Sequence, residues 1–191
     1  MARWFRAGIV AALLSAAASA YAQRLTVEQL NGGPVDPFAA SPGTRATVFL
    51  FTSTECPISN RYAPELRRIV AAFGPRGVAF RLVYPDPSDG KVEIRQHMEA
   101  FGLGAVEALR DPRHALVKRV KASVTPEAAV VVDGVLKYRG RIDDRYVELG
   151  LERPAPTTHD LADALTAVLA GRPVDPPTTQ AVGCFIADFS R

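Results

Sequence analysis

Cysteine is scarce in this chain, which carries two in 191 residues, Cys56 and Cys184. Two are too few for the disulfide framework that replaces a hydrophobic core in small secreted domains. Long apolar runs are scarce as well. The one candidate, Ala7 to Ala20, is too short for a membrane span and has the flanks of an export signal, with Arg3 and Arg6 before it and the small-x-small pattern Ala20-Tyr21-Ala22 at its end. No cysteine follows that pattern, so no lipid anchor is indicated. Charge of one sign is also lacking. Arg3 and Arg6 fall in the signal, and the remaining Lys and Arg balance the 20 Asp and Glu to within one charge. The basic isoelectric point therefore gives no argument for a nucleic-acid or membrane partner. Internal repeats and paired metal-ligand spacing are missing too: His97, His114 and His159 stand alone, each reading as a surface or edge histidine.

These absences predict a signal peptide over 1–22, a single globular domain over 23–173, a tail over 174–191 that carries Cys184, and a periplasmic or secreted location. A chain of this length can bury a real core. In an oxidising compartment two thiols can persist as a disulfide, so Cys56 and Cys184 are weighed together as a redox pair.

What is present alternates. Residues 23–44 carry the turn signals Asn31-Gly32-Gly33-Pro34 and Ser41-Pro42-Gly43 and read as an N-terminal extension with a hairpin beside the sheet. Ala46 to Phe51 reads as a buried central strand, Pro57 to about Phe73 as a helix ended by Gly74-Pro75, and Gly77 to Tyr84 as a second strand. Lys91 to Phe101 follows as a helix with Ser88 and Asp89 as caps, then a short strand at Ala105 to Leu109, then a helix opened by Asp111-Pro112 and running to about Lys121. Two apolar runs flank Asp133-Gly134, a strong hairpin signal. Asp143 to Pro156 reads as a loop, and Thr157 to Leu169 as a last helix capped by Thr157 or Thr158. The order favours an α/β fold with a largely parallel, helix-covered sheet. The island Val182-Gly183-Cys184-Phe185-Ile186 is too apolar for a solvated tail, so it is expected to dock on the body.

The chemistry-bearing stretch is Thr52-Ser53-Thr54-Glu55-Cys56-Pro57-Ile58-Ser59. Pro57 suits the first helical position, which places Cys56 at or beside the N-cap. Backbone N–H groups and the positive end of the helix dipole then favour thiolate, the form that attacks disulfides. Glu55 beside it is either a tuning charge that raises the thiol pKa or a solvated loop charge. The alternative for the whole stretch is a small buried cysteine with no chemistry.

A cysteine opening a helix after a strand, with Pro64 eight residues on and Thr125-Pro126 just ahead of a hairpin, resembles the thioredoxin-like superfamily. The second position of the usual Cys-x-x-Cys is Ser59 here. The Cys-Pro-Ile-Ser motif, Gly183-Cys184-Phe185-Ile186 and the run Arg139 to Asp144 resemble the redoxin branch, the alkyl hydroperoxide reductase and thiol-specific antioxidant (peroxiredoxin-like) group, over about Leu30 to Ile186. The resemblance implies a thioredoxin-like α/β fold, with a central mixed sheet, helices on both faces, an N-terminal extension and a C-terminal tail. It implies a cis Thr125-Pro126 peptide that packs on the active cysteine and offers backbone pairing to a thiol partner. Cys56 becomes the attacking thiol, accessible to water and other thiols, Cys184 the resolving thiol in place of the missing local one, and Pro57, Ser59, Thr125 and Pro126 the orienting residues, with Ser59 capping the helix or bonding the thiolate. No cofactor is implied, and the partner is a thiol or disulfide protein or a small thiol or peroxide.

Three alternatives stay open. Cys56 and Cys184 could form a permanent staple. Peroxide reduction is the second, although Phe49 replaces the proline of the peroxiredoxin motif, Ser53 stands at its threonine, and Arg139 and Arg141, which read as solvated strand charges, are near only in sequence. Copper binding by the two thiols and a histidine is the third.

Overall fold

The computed structural model describes residues 25–187; the signal peptide expected over 1–22 lies outside them. Among the described residues no helix is long and apolar enough to cross a membrane.

The organising strand is β3 (Ala46–Phe51), and every residue of it is buried. Successive side chains of a strand point to opposite faces, and here both faces are covered. Val48 and Leu50 join one core with Leu66 and Ile69 of helix α1 (Pro57–Phe73), Ile94 and Met98 of α2 (Lys91–Ala100), and Leu161 and Leu165 of α4 (Asp160–Leu169). Phe49 and Phe51 join a second core with Leu116, Val117 and Val120 of α3 (Ala115–Val120). This is why the β3 sequence reads as an unbroken apolar run rather than an alternating one.

Strand β3 pairs in parallel with β4 (Val78–Tyr84) and antiparallel with β7 (Glu127–Val132); β4 pairs in parallel with β5 (Glu107–Arg110). The hairpin partner of β7 is β8 (Val135–Gly140). Its turn, Asp133-Gly134, has positive φ at both positions, 50° and 74°, as a two-residue hairpin turn requires. On the far edge, β1 (Val27–Gln29) and β2 (Pro34–Val35) form the expected N-terminal hairpin, with β1 antiparallel to β5. The seven-stranded mixed sheet runs β2-β1-β5-β4-β3-β7-β8.

Several local expectations are corrected. Helix α2 is preceded by Gly90 with no side-chain cap, because the Asp89 carboxylate is drawn away to Thr54. Thr157 and Thr158 do not cap α4, which begins at Asp160; their N–H groups donate to Asp144 at 2.6 and 3.0 Å. The segment expected as a loop from Asp143 holds a small hairpin, β9 (Tyr146–Glu148) with β10 (Leu151–Glu152). Helix α3 starts at Ala115 rather than at Pro112. The Asp111 carboxylate accepts from the N–H groups of Ala115, Leu116 and Val117 at 2.8, 2.8 and 2.9 Å, so it still satisfies the first turn from four to six residues away.

The tail does dock. Arg139 N–H donates to the Pro177 carbonyl at 3.0 Å and Thr179 N–H to the Arg139 carbonyl at 3.1 Å. Gly140 (φ 155°) permits this approach, since a Cβ there would come within 2.5 Å of the Thr179 carbonyl oxygen. Beyond it, β11 (Cys184–Phe185) pairs antiparallel with β6 (Val124–Thr125).

Replacing Asp111 with Ala strips three N–H groups of a buried acceptor, so Asp111→Ala is expected to lower unfolding free energy by about 2 kcal/mol, with Asp111→Asn losing less. Denaturant titration at neutral pH checks this; an unchanged midpoint for the alanine variant contradicts it.

Candidate active site

Strand β3 ends at Phe51, and Thr52 N–H extends its ladder by donating to the Val83 carbonyl at 2.9 Å. The chain turns over Ser53–Glu55, and Cys56 takes the N-cap of α1 in extended conformation (φ −84°, ψ 108°) with Pro57 first in the helix. The Cys56 sulfur thus belongs to the N-cap residue, near the helix end whose unpaired N–H groups and dipole favour a thiolate, although in this disulfide-bonded form it accepts no hydrogen bond from them.

The turn is held by a polar chain that the sequence did not disclose. Thr54 Oγ1 donates to Asp89, Asn60 Nδ2 donates to the Thr54 carbonyl at 3.2 Å, His97 Nε2 lies 2.7 Å from Asn60 Oδ1, and Tyr84 OH lies 2.9 Å from His97 Nδ1. Because Asn60 spends its amide N–H on Thr54, its oxygen accepts from His97 Nε2–H. In the neutral imidazole, the form that burial favours, His97 Nδ1 accepts from the Tyr84 hydroxyl. Burial lowers the His97 pKa and raises that of Asp89, the latter opposed by its Thr54 bonds. His97 is therefore a buried structural residue and not the surface histidine expected.

Cys56 is disulfide-bonded to Cys184, 128 residues away, with Cα atoms 6.1 Å apart. The expectation of a solvent-accessible attacking sulfur is corrected for this oxidised form: Cys56 is 1 % exposed because β11 lies over it, whereas Cys184 is half-buried. The Thr125-Pro126 peptide is cis, and the Thr125 carbonyl oxygen sits 3.0 Å from Cys56 Sγ. In the ladder, Cys184 pairs with Thr125 and Phe185 with Val124, and Ile186 N–H donates to the Ser123 carbonyl at 3.0 Å.

Glu127, which follows Pro126, is a second residue missed from sequence. Its carboxylate is buried and accepts from Ser123 N–H (2.7 Å) and Val124 N–H (3.3 Å), fixing the loop from inside; Arg139 lies 3.4 Å from it. Arg139 and Arg141 are consequently not solvated strand charges. The first serves Glu127 and the Lys121 carbonyl, and the second holds Asp160 through two bonds of 3.0 and 3.1 Å. Only its position beside Thr125-Pro126 marked Glu127 out, and a charged residue in an apolar strand run is that signal.

A cavity of about 180 Å³ opens beside the disulfide, lined by both cysteines together with Glu55, Asp86, His114 and Phe185. His114 is buried and its Nε2–H donates to the Pro85 carbonyl at 3.0 Å, again not the surface position expected. Ser59 neither caps the helix nor bonds sulfur: it is buried one turn on from Cys56 and its Oγ has no partner. Pro57 is exposed at the helix start. Among the described residues the one grouping of three metal-capable side chains is Glu65, Asp143 and His159, and it contains neither cysteine. Glu65 is engaged by Arg68 at 2.8 Å, and Asp143 accepts from Tyr62 OH at 2.5 Å.

Solved structures share this arrangement of strands and helices. An uncharacterised conserved protein of Geobacillus kaustophilus superposes with a TM-score of 0.73 at 25 % identity, over 87 % of this chain and 89 % of that one. A candidate thioredoxin of Neisseria meningitidis follows with a TM-score of 0.57 at 18 % identity, over 76 % and 87 %. The fold is thioredoxin-like. A secreted Mycobacterium tuberculosis disulfide oxidoreductase, homologous to Escherichia coli DsbE, aligns with a TM-score of 0.50 at 19 % identity over 78 % and 96 %. No protein-family model matches the sequence, and the comparison with curated proteins returns no match.

The burial of His97 sets the sign of a pH effect. A histidine whose folded pKa lies below its unfolded value of about 6.5 contributes stability that is present above that pH and is lost as pH falls below it. NMR titration is expected to place the His97 imidazole below the ordinary histidine value; titration at or above it contradicts a burial-favoured neutral form.

Proposed function

We propose that this protein is an exported thiol-disulfide oxidoreductase in which Cys56 is the attacking thiol and Cys184 the resolving thiol, the domain spanning 23–173 behind a signal peptide at 1–22 and the tail spanning 174–191. The observation that carries the reading is the disulfide itself: one sulfur sits at a helix start beside a cis Thr125-Pro126 peptide, and the other arrives on a strand that only the tail supplies.

In the reduced form the Cys56 thiolate attacks a partner disulfide, forming a Cys56–partner bond and releasing the second partner sulfur as thiolate. The Cys184 thiolate then attacks Cys56 Sγ, which forms the Cys56–Cys184 bond and releases the first partner sulfur. Two electrons have passed from the protein to the partner. Recharging by a donor dithiol starts at the other sulfur. Cys184 is the more exposed of the two, and Cys56 is the better leaving group because the helix end stabilises its thiolate. The donor's second thiol then releases Cys184 and completes the cycle; with an oxidising partner the same steps run backwards.

Two opposed influences act on Cys56: the helix terminus favours the thiolate, and the Thr125 carbonyl oxygen at 3.0 Å favours the protonated thiol. The terminus is taken as the stronger of the two, the direction in which helix N-termini shift cysteine thiols. The peroxide-reductase alternative is the weaker reading. No Arg or Lys lines the cavity among the described residues, so the cation that peroxiredoxins set against the peroxide oxygens has no counterpart there. The copper alternative lacks a histidine grouped with both sulfurs.

Disulfide reduction of a model protein substrate by the full chain, with a dithiol donor, tests the reading. Cys56→Ser is expected to fall to the uncatalysed rate. Cys184→Ser is expected to accumulate a mixed disulfide on Cys56 and to lose about tenfold or more in turnover. Wild-type rates in both variants would overturn the proposal.

A further inference from the structure

We infer that the outer edge of Val124 and Thr125 is a binding site for an extended peptide with the sequence Gly-Cys, and that the tail is a tethered occupant of that site. The inference rests on the thiol-disulfide reading above and adds to it the identity of the partner segment.

The loop 123–127 is built to present one edge. Glu127 takes the inward N–H groups of Ser123 and Val124, and the outward edge is taken up by residues 184–186 in antiparallel pairing. An extended segment laid on such an edge gains main-chain hydrogen bonds from any sequence, and its selectivity comes from the positions its side chains must fill. The tail shows what this site demands. At Gly183 an added Cβ would overlap the Thr125 carbonyl oxygen and lie 2.6 Å from the Thr125 carbonyl carbon and 3.1 Å from Pro126 N. These are backbone atoms of a loop pinned by Glu127, so they cannot swing aside as a flexible side chain would. At the next position the cysteine meets Cys56, and after it Phe185 is 81 % exposed and unconstrained. A partner strand placed there meets the same wall: glycine before the cysteine is accepted and any side chain is refused. The tail and the partner also exclude one another. The edge is locked while Cys56 and Cys184 are joined, and once that bond is reduced a partner competes with a tail held only by main-chain pairing.

The chemistry is an exchange of disulfides. Cys56 thiolate attacks the sulfur of a peptide Gly-Cys disulfide, the Cys56–peptide bond forms, and the leaving thiol departs with the electron pair of the broken bond.

The test uses the full chain carrying Cys184→Ser, which leaves Cys56 as its one thiol. The probes are the peptides Ala-Val-Gly-Cys-Phe-Ile and Ala-Val-Ala-Cys-Phe-Ile, each joined through its cysteine to thionitrobenzoate, whose release is followed by absorbance. Ellman's reagent, which has no backbone to pair, is the reference, and each rate is divided by that with free cysteine. The glycine peptide is expected to react about tenfold or more faster than the alanine peptide. Adding Gly183→Ala, which expels the competing tail, is expected to raise the rates of both the glycine peptide and Ellman's reagent, since each needs Cys56 uncovered, and to leave the preference for the glycine over the alanine peptide unchanged; loss of that preference overturns the peptide site. Equal rates for the two peptides, with Ellman's reagent reacting faster than it does with free cysteine, overturn the peptide site and leave the redox reading standing. Ellman's reagent reacting no faster than with free cysteine even after Gly183→Ala has displaced the tail overturns both.

Discussion

The structure depends on a single junction, in which a strand from the last residues of the chain is laid across the start of the first long helix and bonded there through sulfur. The cost of bringing residues 128 positions apart together is entropic, and in the loop-closure picture a covalent link across such a span removes about 5 kcal/mol of that freedom from the unfolded chain. The junction is not left to the bond alone. Residues 177–179 strap over β8, and residues 184–186 pair with β6, so the tail is already in place when the sulfurs meet.

That placement answers the missing local thiol. With Ser59 at the position one turn from Cys56, no second sulfur exists inside the helix, and resolution has to come from elsewhere in the chain. A resolving cysteine on a displaceable strand differs from one fixed in the same helix turn. In the oxidised form it covers the reactive sulfur; in the proposed mechanism reduction leaves main-chain pairing alone to hold it there, which couples the redox state of the pair to the accessibility of the edge at Val124 and Thr125. The balance between staple and switch lies in the stability of the separated thiols. A thiolate held by a helix terminus stabilises the reduced form and makes the bond easier to open.

What the sequence disclosed was governed by short-range rules. Pro57 at the first helical position, the apolar run Ala46–Phe51, and the positive-φ pair Asp133-Gly134 are each decided within a few residues. The tail's apolar island signalled docking, though not the edge on which it lands. The features that went unread join residues far apart. Tyr84, His97, Asn60, Thr54 and Asp89 become one network only after α1, α2 and β4 are packed. The role of Glu127 appears only where the fold buries it against the N–H groups of Ser123 and Val124. The caps at Asp89 and Thr157 were misread for the same reason: each side chain had a better-placed partner from a distant segment.

The most direct measurement of whether the junction is a switch is the midpoint potential of the Cys56–Cys184 couple in the full chain, obtained by equilibration against a dithiol–disulfide buffer. A redox-active pair is expected to titrate above about −300 mV, in the range of thiol-disulfide exchange proteins. A midpoint well below that value would make the bond a permanent staple and contradict the account.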